Sequence, residues 1–88
     1  MSNLIPASNF KVVKLEGWGV VATTGQGYYE RNGWGIWDIN ANGFVFMGCI
    51  QDDGTKLPYS LKTKKTATEA FSQGLYEGYE VVKVFKSR

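Results

Sequence analysis

Eighty-eight residues allow one domain with a small core, because a chain this short buries only about two thirds of the surface that its unfolded form exposes. A net charge of +2 is too weak to argue for nucleic acid by itself, one cysteine rules out an internal disulfide, and the lack of histidine removes the commonest general base and metal ligand. The longest apolar run, Phe44 to Ile50, falls far short of the roughly 20 residues that span a bilayer.

In chain order, Met1 to Asn9 carries Pro6 and small polar residues, reads as a loose lead-in, and has neither the basic start nor the apolar core of a signal peptide. With an initial methionine and no tag, a complete gene product is expected. Phe10 to Leu15 is β-branched and partly alternating, which predicts a first strand, and Glu16-Gly17 predicts a turn. Trp18 to Thr24 and Tyr28 to Glu30 are the second and third strands, separated by Gly25-Gln26-Gly27. Asn32-Gly33 supplies the positive φ of a tight turn before a fourth strand, Trp34 to Ile39. Asn40 to Gly43 turns again, Phe44 to Ile50 is the fifth strand, Asp52-Asp53-Gly54 is a loop, and Pro58 to Leu61 is a short extended piece. The period then changes: Ala67, Ala70, Phe71, Gly74 and Leu75 mark one face of a helix over about Lys64 to Tyr76, with Thr63 or Thr66 as N-cap and Gly78 as the stop. Tyr79 to Phe85 is a last strand in which Val81, Val82, Val84 and Phe85 call for burial.

The strands contain an internal echo. Gly17-Trp18-Gly19-Val20 returns sixteen positions later as Gly33-Trp34-Gly35-Ile36, and Gly27-Tyr28-Tyr29 returns at the same offset as Gly43-Phe44-Val45. Each copy reads as a β-hairpin. The predicted fold is therefore a single α+β domain over residues 1–88: an antiparallel β-meander of about five strands, one C-terminal helix packed on it, and a final strand that rejoins the sheet. Alternation puts Trp34 and Ile36 on one face and Trp37 and Ile39 on the other, so both sheet faces are apolar. One helix covers one face. Either the sheet curls to cover the other, or an apolar face is left for a partner.

No constellation for catalysis, metal or cofactor emerges. Cys49 has no histidine to activate it and sits in an apolar run, as a small core residue does; a lone thiol fits a reducing, cytoplasmic setting. Asp52 and Asp53 beside Gly54 read as turn chemistry. An enzyme would need Glu30, Asp38, Asp52 or Asp53 gathered in a deep pocket. Lys56, Lys62, Lys64 and Lys65 form a basic cluster with no acid between Asp53 and Glu69, either a solvated face or a phosphate site. Asn42-Gly43-Phe44-Val45-Phe46 has the Gly-aromatic-x-aromatic spacing of strands that stack RNA bases, although such aromatics more often serve a core.

Strand, turn, strand over Trp34 onward, then Tyr59-Ser60-Leu61-Lys62-Thr63-Lys64-Lys65 leading into an Ala-rich helix that reaches Phe71, resembles the arm-type, AP2-like DNA-binding module of phage integrases. The resemblance covers under half of the chain, and implies a small sheet packed on one helix and offered to the major groove. Two functions follow as expectations. The first is a non-enzymatic binding protein, a stoichiometric modulator or inhibitor of a larger macromolecule of phage or mobile-element type, acting through a protein–protein surface anchored by Trp34, Trp37 and Tyr28. The second is a nucleic-acid binder that uses Lys56, Lys62, Lys64 and Lys65 with Phe44 and Phe46. Both act without membrane or cofactor, and the amount of apolar sheet allows a homodimer.

Overall fold

The computed structural model describes residues 3–83 and the backbone of 86–87. Both echoed segments are hairpins. β3 (Trp18–Val21) pairs with β4 (Tyr28–Glu30), and β5 (Trp34–Asp38) with β6 (Gly43–Phe46), both antiparallel. The register repeats too: Val21 faces Tyr28 in the first hairpin, and sixteen residues on Trp37 faces Phe44 in the second. The glycines explain why the motif is Gly-Trp-Gly. Gly19 lies against the Tyr28 ring, and a Cβ at Gly35 would come within 2.9 Å of the Leu15 side chain and 3.0 Å of the Phe44 ring. In each copy the second glycine leaves room for the aromatic ring that follows on the partner strand.

Among the described residues the chain is mostly antiparallel sheet with one α-helix. A four-stranded sheet runs in the order β2-β5-β6-β8, with β2 at Phe10–Lys14 and β8 at Glu80–Val82; a three-stranded sheet runs β4-β3-β9, with β9 at Lys86–Ser87. This departs from the meander expected from the sequence, because β2 pairs with β5 and not with β3. The cause is the turn after Lys14. Leu15 still donates its N–H to the Gly33 carbonyl, the last rung of the β2–β5 ladder, while Trp18 folds back onto the Leu15 carbonyl through Gly17 at φ +87°. The chain thereby leaves the first sheet and starts the second.

The helix α1 (Lys64–Ala70) is shorter than the predicted Lys64 to Tyr76. Thr63 is its cap, accepting from the Thr66 N–H at 3.1 Å, which satisfies one of the orphan donors of the first turn. It ends early because Gly74, at φ +83°, turns the chain tightly against the Ile5 carbonyl. Leu75–Tyr76, read as helix, forms instead a strand β7 that pairs with β1 (Leu4–Ile5). The N-terminal segment is accordingly not a loose lead-in: Ala7–Asn9 is a 3-10 turn, and Asn9 is buried. Among the predicted helix-face residues Ala67 and Phe71 are buried, whereas Ala70 is exposed. The fifth strand stops at Phe46; Met47 and Ile50, placed on it by sequence, are exposed beyond its end. Val82 is buried and Val81 half-buried, as the last strand requires, while Val84 and Phe85 lie outside the described residues.

Register sorts the four-stranded sheet into two faces. Phe10, Val12, Ile36 and Val45 lie on one, where Ile36 and Val45 join Ala67 and Phe71 in a core cluster under the helix. Lys11, Val13, Trp37, Phe44, Phe46 and Val82 lie on the other. There Val20 of β3 packs with Leu57, Val82 and Phe46, so the second sheet covers the β6–β8 half of that face. The domain is thus helix, sheet and sheet in layers, and the apolar face opposite the helix is partly self-covered.

Candidate functional site

Among the described residues, the β2–β5 half of that face holds a groove of about 330 Å³ lined by Lys11, Val13, Trp18, Trp37 and Phe44. Backbone register builds it. Lys11 lies beside Trp37 and Val13 beside Gly35, and the missing side chain at Gly35 leaves the floor to Phe44. The Trp37 ring meets the Phe44 ring edge-on, at 5.0 Å between centroids and 78° between planes, and Trp18 approaches Phe44 from the second sheet at 6.3 Å. Edge-to-face packing of this kind fixes ring orientation as well as burying area. Both tryptophans are half-buried. On the other side of β2 a smaller pocket of about 130 Å³ opens between that strand and α1, lined by Phe10, Val12, Ala67 and Phe71 among others.

The three anchors expected from the sequence do not converge. Trp34 and Trp37 lie on opposite faces of the sheet, opposite Lys14 and Lys11 respectively, and Tyr28 lies on β4 of the second sheet. Tyr28 is 40% exposed with its ring against Gly19. Trp34 is fixed by two backbone bonds to Leu61, at 2.8 and 2.9 Å, and is half-buried against the helix-side core. Only Trp37 lines the groove; Lys11, Val13 and Trp18 were missed by sequence reading. The alternation Phe10-Lys11-Val12-Val13-Lys14 does carry their signal, since it puts one lysine and one valine on the face opposite Phe10 and Val12.

The basic cluster is also divided. The Lys56 ammonium sits 3.0 Å from the Glu80 carboxylate and 5.3 Å from the centre of the Phe46 ring, on the face opposite the helix. Lys64 reaches over Trp34 on the helix side, 6.0 Å from the ring centre. Lys62, Lys64 and Lys65 are exposed, and Lys62 borders a hollow with Asn32, Gly33 and Ser60. Phe44 is 1% exposed and is therefore core, not a surface on which a base could stack; Phe46 is half-buried under Lys56.

Two of the candidate carboxylates, Asp38 and Asp53, are occupied with structure. Asp38 is buried and accepts hydrogen bonds from Asn9 Nδ2 at 2.9 Å, the Ala41 N–H at 2.9 Å and the Tyr79 hydroxyl. Burial works to raise its pKa, but the hydrogen bonds from Tyr79, Ala41 and Asn9 outweigh it and hold the carboxyl below its ordinary value. Burial and the same Asp38 bond push the Tyr79 phenol upward. Asp53 caps its turn by accepting from the Thr55 N–H at 2.9 Å and from the Tyr29 hydroxyl at 3.1 Å, the turn role expected for it. Asp38 and Asp53 thus belong to separate networks, and among the described residues no three His, Cys, Asp or Glu side chains come together to hold a metal ion. Cys49 is half-buried beside the Val20–Leu57–Val82 cluster, where Arg31 donates to its sulfur.

Among the described residues no helix is long and apolar enough to cross a membrane. No family model, no curated protein and no solved structure matches the chain.

Proposed function

We propose that the chain is a small non-enzymatic binding protein, a stoichiometric modulator of a larger macromolecule that engages it through a protein–protein surface. The supporting observation is the groove of Lys11, Val13, Trp18, Trp37 and Phe44, an aromatic-rich hollow on an apolar face between β2 and the Trp18 end of the second sheet. Aromatic side chains in such hollows are the usual anchors of protein interfaces. In this reading the protein works in a reducing cytoplasm with Cys49 as a thiol, and the partner is of the kind that phage and mobile-element inhibitors take. The test is affinity capture with wild-type chain and with Val13→Asp, which puts a charge in the groove. A partner bound in about one-to-one ratio, held in high salt and lost with the variant, supports the reading; a partner held equally by a folded Val13→Asp chain refutes it.

A second reading has its own support. Lys62, Lys64 and Lys65 are exposed and have no ion-pair partner among the described residues, at the start of the helix where the integrase-like resemblance places its Thr-Lys-Lys segment. A nucleic-acid complex built on them would weaken steeply with salt, whereas an apolar groove contact would not. Tryptophan fluorescence titrated with single- and double-stranded oligonucleotides at two salt concentrations separates the two.

A further inference from the structure

Among the described residues the strand β2 is an edge of the four-stranded sheet, paired on one side only, with β5. Its register settles which backbone groups are spent. Ile39 donates to Asn9 and Leu15 donates to Gly33, at the two ends of the ladder. Hydrogen-bonded pairs alternate along an antiparallel ladder, so Lys11 and Val13 turn their N–H and C=O groups toward β5, and Val12 and Lys14 turn theirs outward. Phe10 spends its N–H on the Ala7 carbonyl. Among the described residues nothing bonds to the backbone N–H or C=O of Val12 or Lys14.

The two hollows described above straddle this edge. The pocket of about 130 Å³ lies on the helix side, at Phe10 and Val12; the groove of about 330 Å³ lies on the opposite side, at Lys11 and Val13. A strand laid along β2 would point alternate side chains into the two. This is the arrangement of β-strand addition, in which backbone bonds give affinity and pockets for alternate side chains give specificity. Charge selects the occupant. Lys11 and Lys14 are exposed; Lys14 is held by Glu16 at 2.9 Å, while Lys11 has no ion-pair partner among the described residues. Lysines on an edge strand oppose its pairing with a copy of itself, and they favour an acidic strand.

We propose that the β2 edge binds an extended acidic and apolar segment of a partner protein, which joins the sheet as a further strand. A central aliphatic side chain of that segment enters the pocket between Val12 and Ala67, an aromatic one enters the groove beside Trp37, and a carboxylate meets Lys11. The inference rests on the protein-binding reading above and names the partner's chemistry and the site's register.

The test is an NMR titration of the isotope-labelled chain with two blocked peptides, Thr-Val-Asp-Val-Phe-Val-Thr and the same sequence with Lys in place of Asp. The acidic peptide should slow amide exchange at Val12 and Lys14 by at least about tenfold, because those amides become bonded. The lysine peptide should bind at least about tenfold more weakly. Val12→Pro removes the outward N–H without touching the β2–β5 ladder, so it should keep the fold and lose the peptide. Should that variant fail to fold, Lys11→Glu leaves the backbone intact and should reverse the preference between the two peptides. Peptide shifts that map away from Val12 and Lys14, or a preference that Lys11→Glu does not reverse, overturn the edge site. Either failure leaves the capture result with Val13→Asp standing, so the edge and the broader protein-binding reading fail separately.

Discussion

Replacing Phe44 by alanine tests whether the Gly-aromatic-x-aromatic strand is a core or a display surface. The Phe44 ring is 1% exposed, lies edge-on to Trp37 at 5.0 Å and to Trp18 at 6.3 Å, and fills the space that Gly35 vacates. Truncating a buried Phe to Ala costs about 3–5 kcal/mol, part from lost transfer and part from the cavity left behind. A domain of this size has a total stability of about 4–13 kcal/mol at the usual value per residue, so the loss is a large share of the whole. Each kcal/mol moves the thermal midpoint of a 60–100-residue domain by about 4–8 °C, which puts the fall at about 12 °C or more. Phe46→Ala is the control: its ring is half-buried beneath Lys56, and its loss should cost about 1 kcal/mol. Urea unfolding is followed by far-ultraviolet dichroism, because Trp37 fluorescence will itself respond to the change. A Phe44→Ala cost below about 1 kcal/mol, or one no larger than that of Phe46→Ala, would refute the core assignment and reopen Phe44 as a stacking surface.

Three further outcomes are expected. The Asp38 carboxyl is held below its unfolded value of about 3.9, so its contribution is fully present above that pH and is lost as pH falls through the lower folded value; the thermal midpoint should drop below about pH 4, and Asp38→Asn should make that acid limb shallower. Gly74→Ala should cost about 2–4 kcal/mol in chemical denaturation, from positive φ and from collision with the Ile5 carbonyl, whereas Gly25→Ala, at φ +79° with open space around it, should cost about 1 kcal/mol; equal costs would show that the Ile5 contact is not tight. Replacing Lys62, Lys64 and Lys65 together by alanine should leave capture of a groove-bound protein within about twofold, because none of the three lines the groove. An abolished capture, or oligonucleotide binding whose salt slope falls by about 3 in the variant, would move the function to the lysines.

The local pattern was legible because it is set by neighbours. The Gly-Trp-Gly echo marked two hairpins, and Thr63 capped the helix where its side chain was expected to; Asn32-Gly33, read as a tight turn, is instead a crossing from one sheet to the other, with positive φ at Gly33 and not at Asn32. What sequence could not show was which hairpin lies beside which strand. The pairing of β2 with β5 turns on one glycine at φ +87°, and its hydrogen bonds join residues about two dozen apart, so no local rule reports it. The helix was overextended for a related reason. Leu75 continues the helical period, but it is also the partner of Ile5, and that long-range pairing prevails over a periodicity worth a few tenths of a kcal/mol per residue. The site fared similarly. Aromatic content pointed to Trp37 as a binding group, but the groove also needs Trp18, delivered from another sheet, and Lys11 and Val13 from a strand distant in sequence.

The echo explains why a groove exists at all. Both copies have the same register, yet they end in different layers: β5–β6 at the centre of the four-stranded sheet, β3–β4 lying across part of one face. The central copy has two apolar faces and needs two covers. Helix α1 supplies one, over Ile36 and Val45. The outer copy supplies the other, but β3 runs only from Trp18 to Val21 and its buried Val20 is spent on Val82 and Leu57. Toward β2, Trp18, Trp37 and Phe44 border the groove that the described residues leave on this face. The groove and the unpaired edge of β2 beside it are thus one consequence of building three layers from so short a chain. A variant that lengthened β3 to cover Val13 should raise stability and lose partner binding together; a gain in stability with binding intact would place the interface elsewhere.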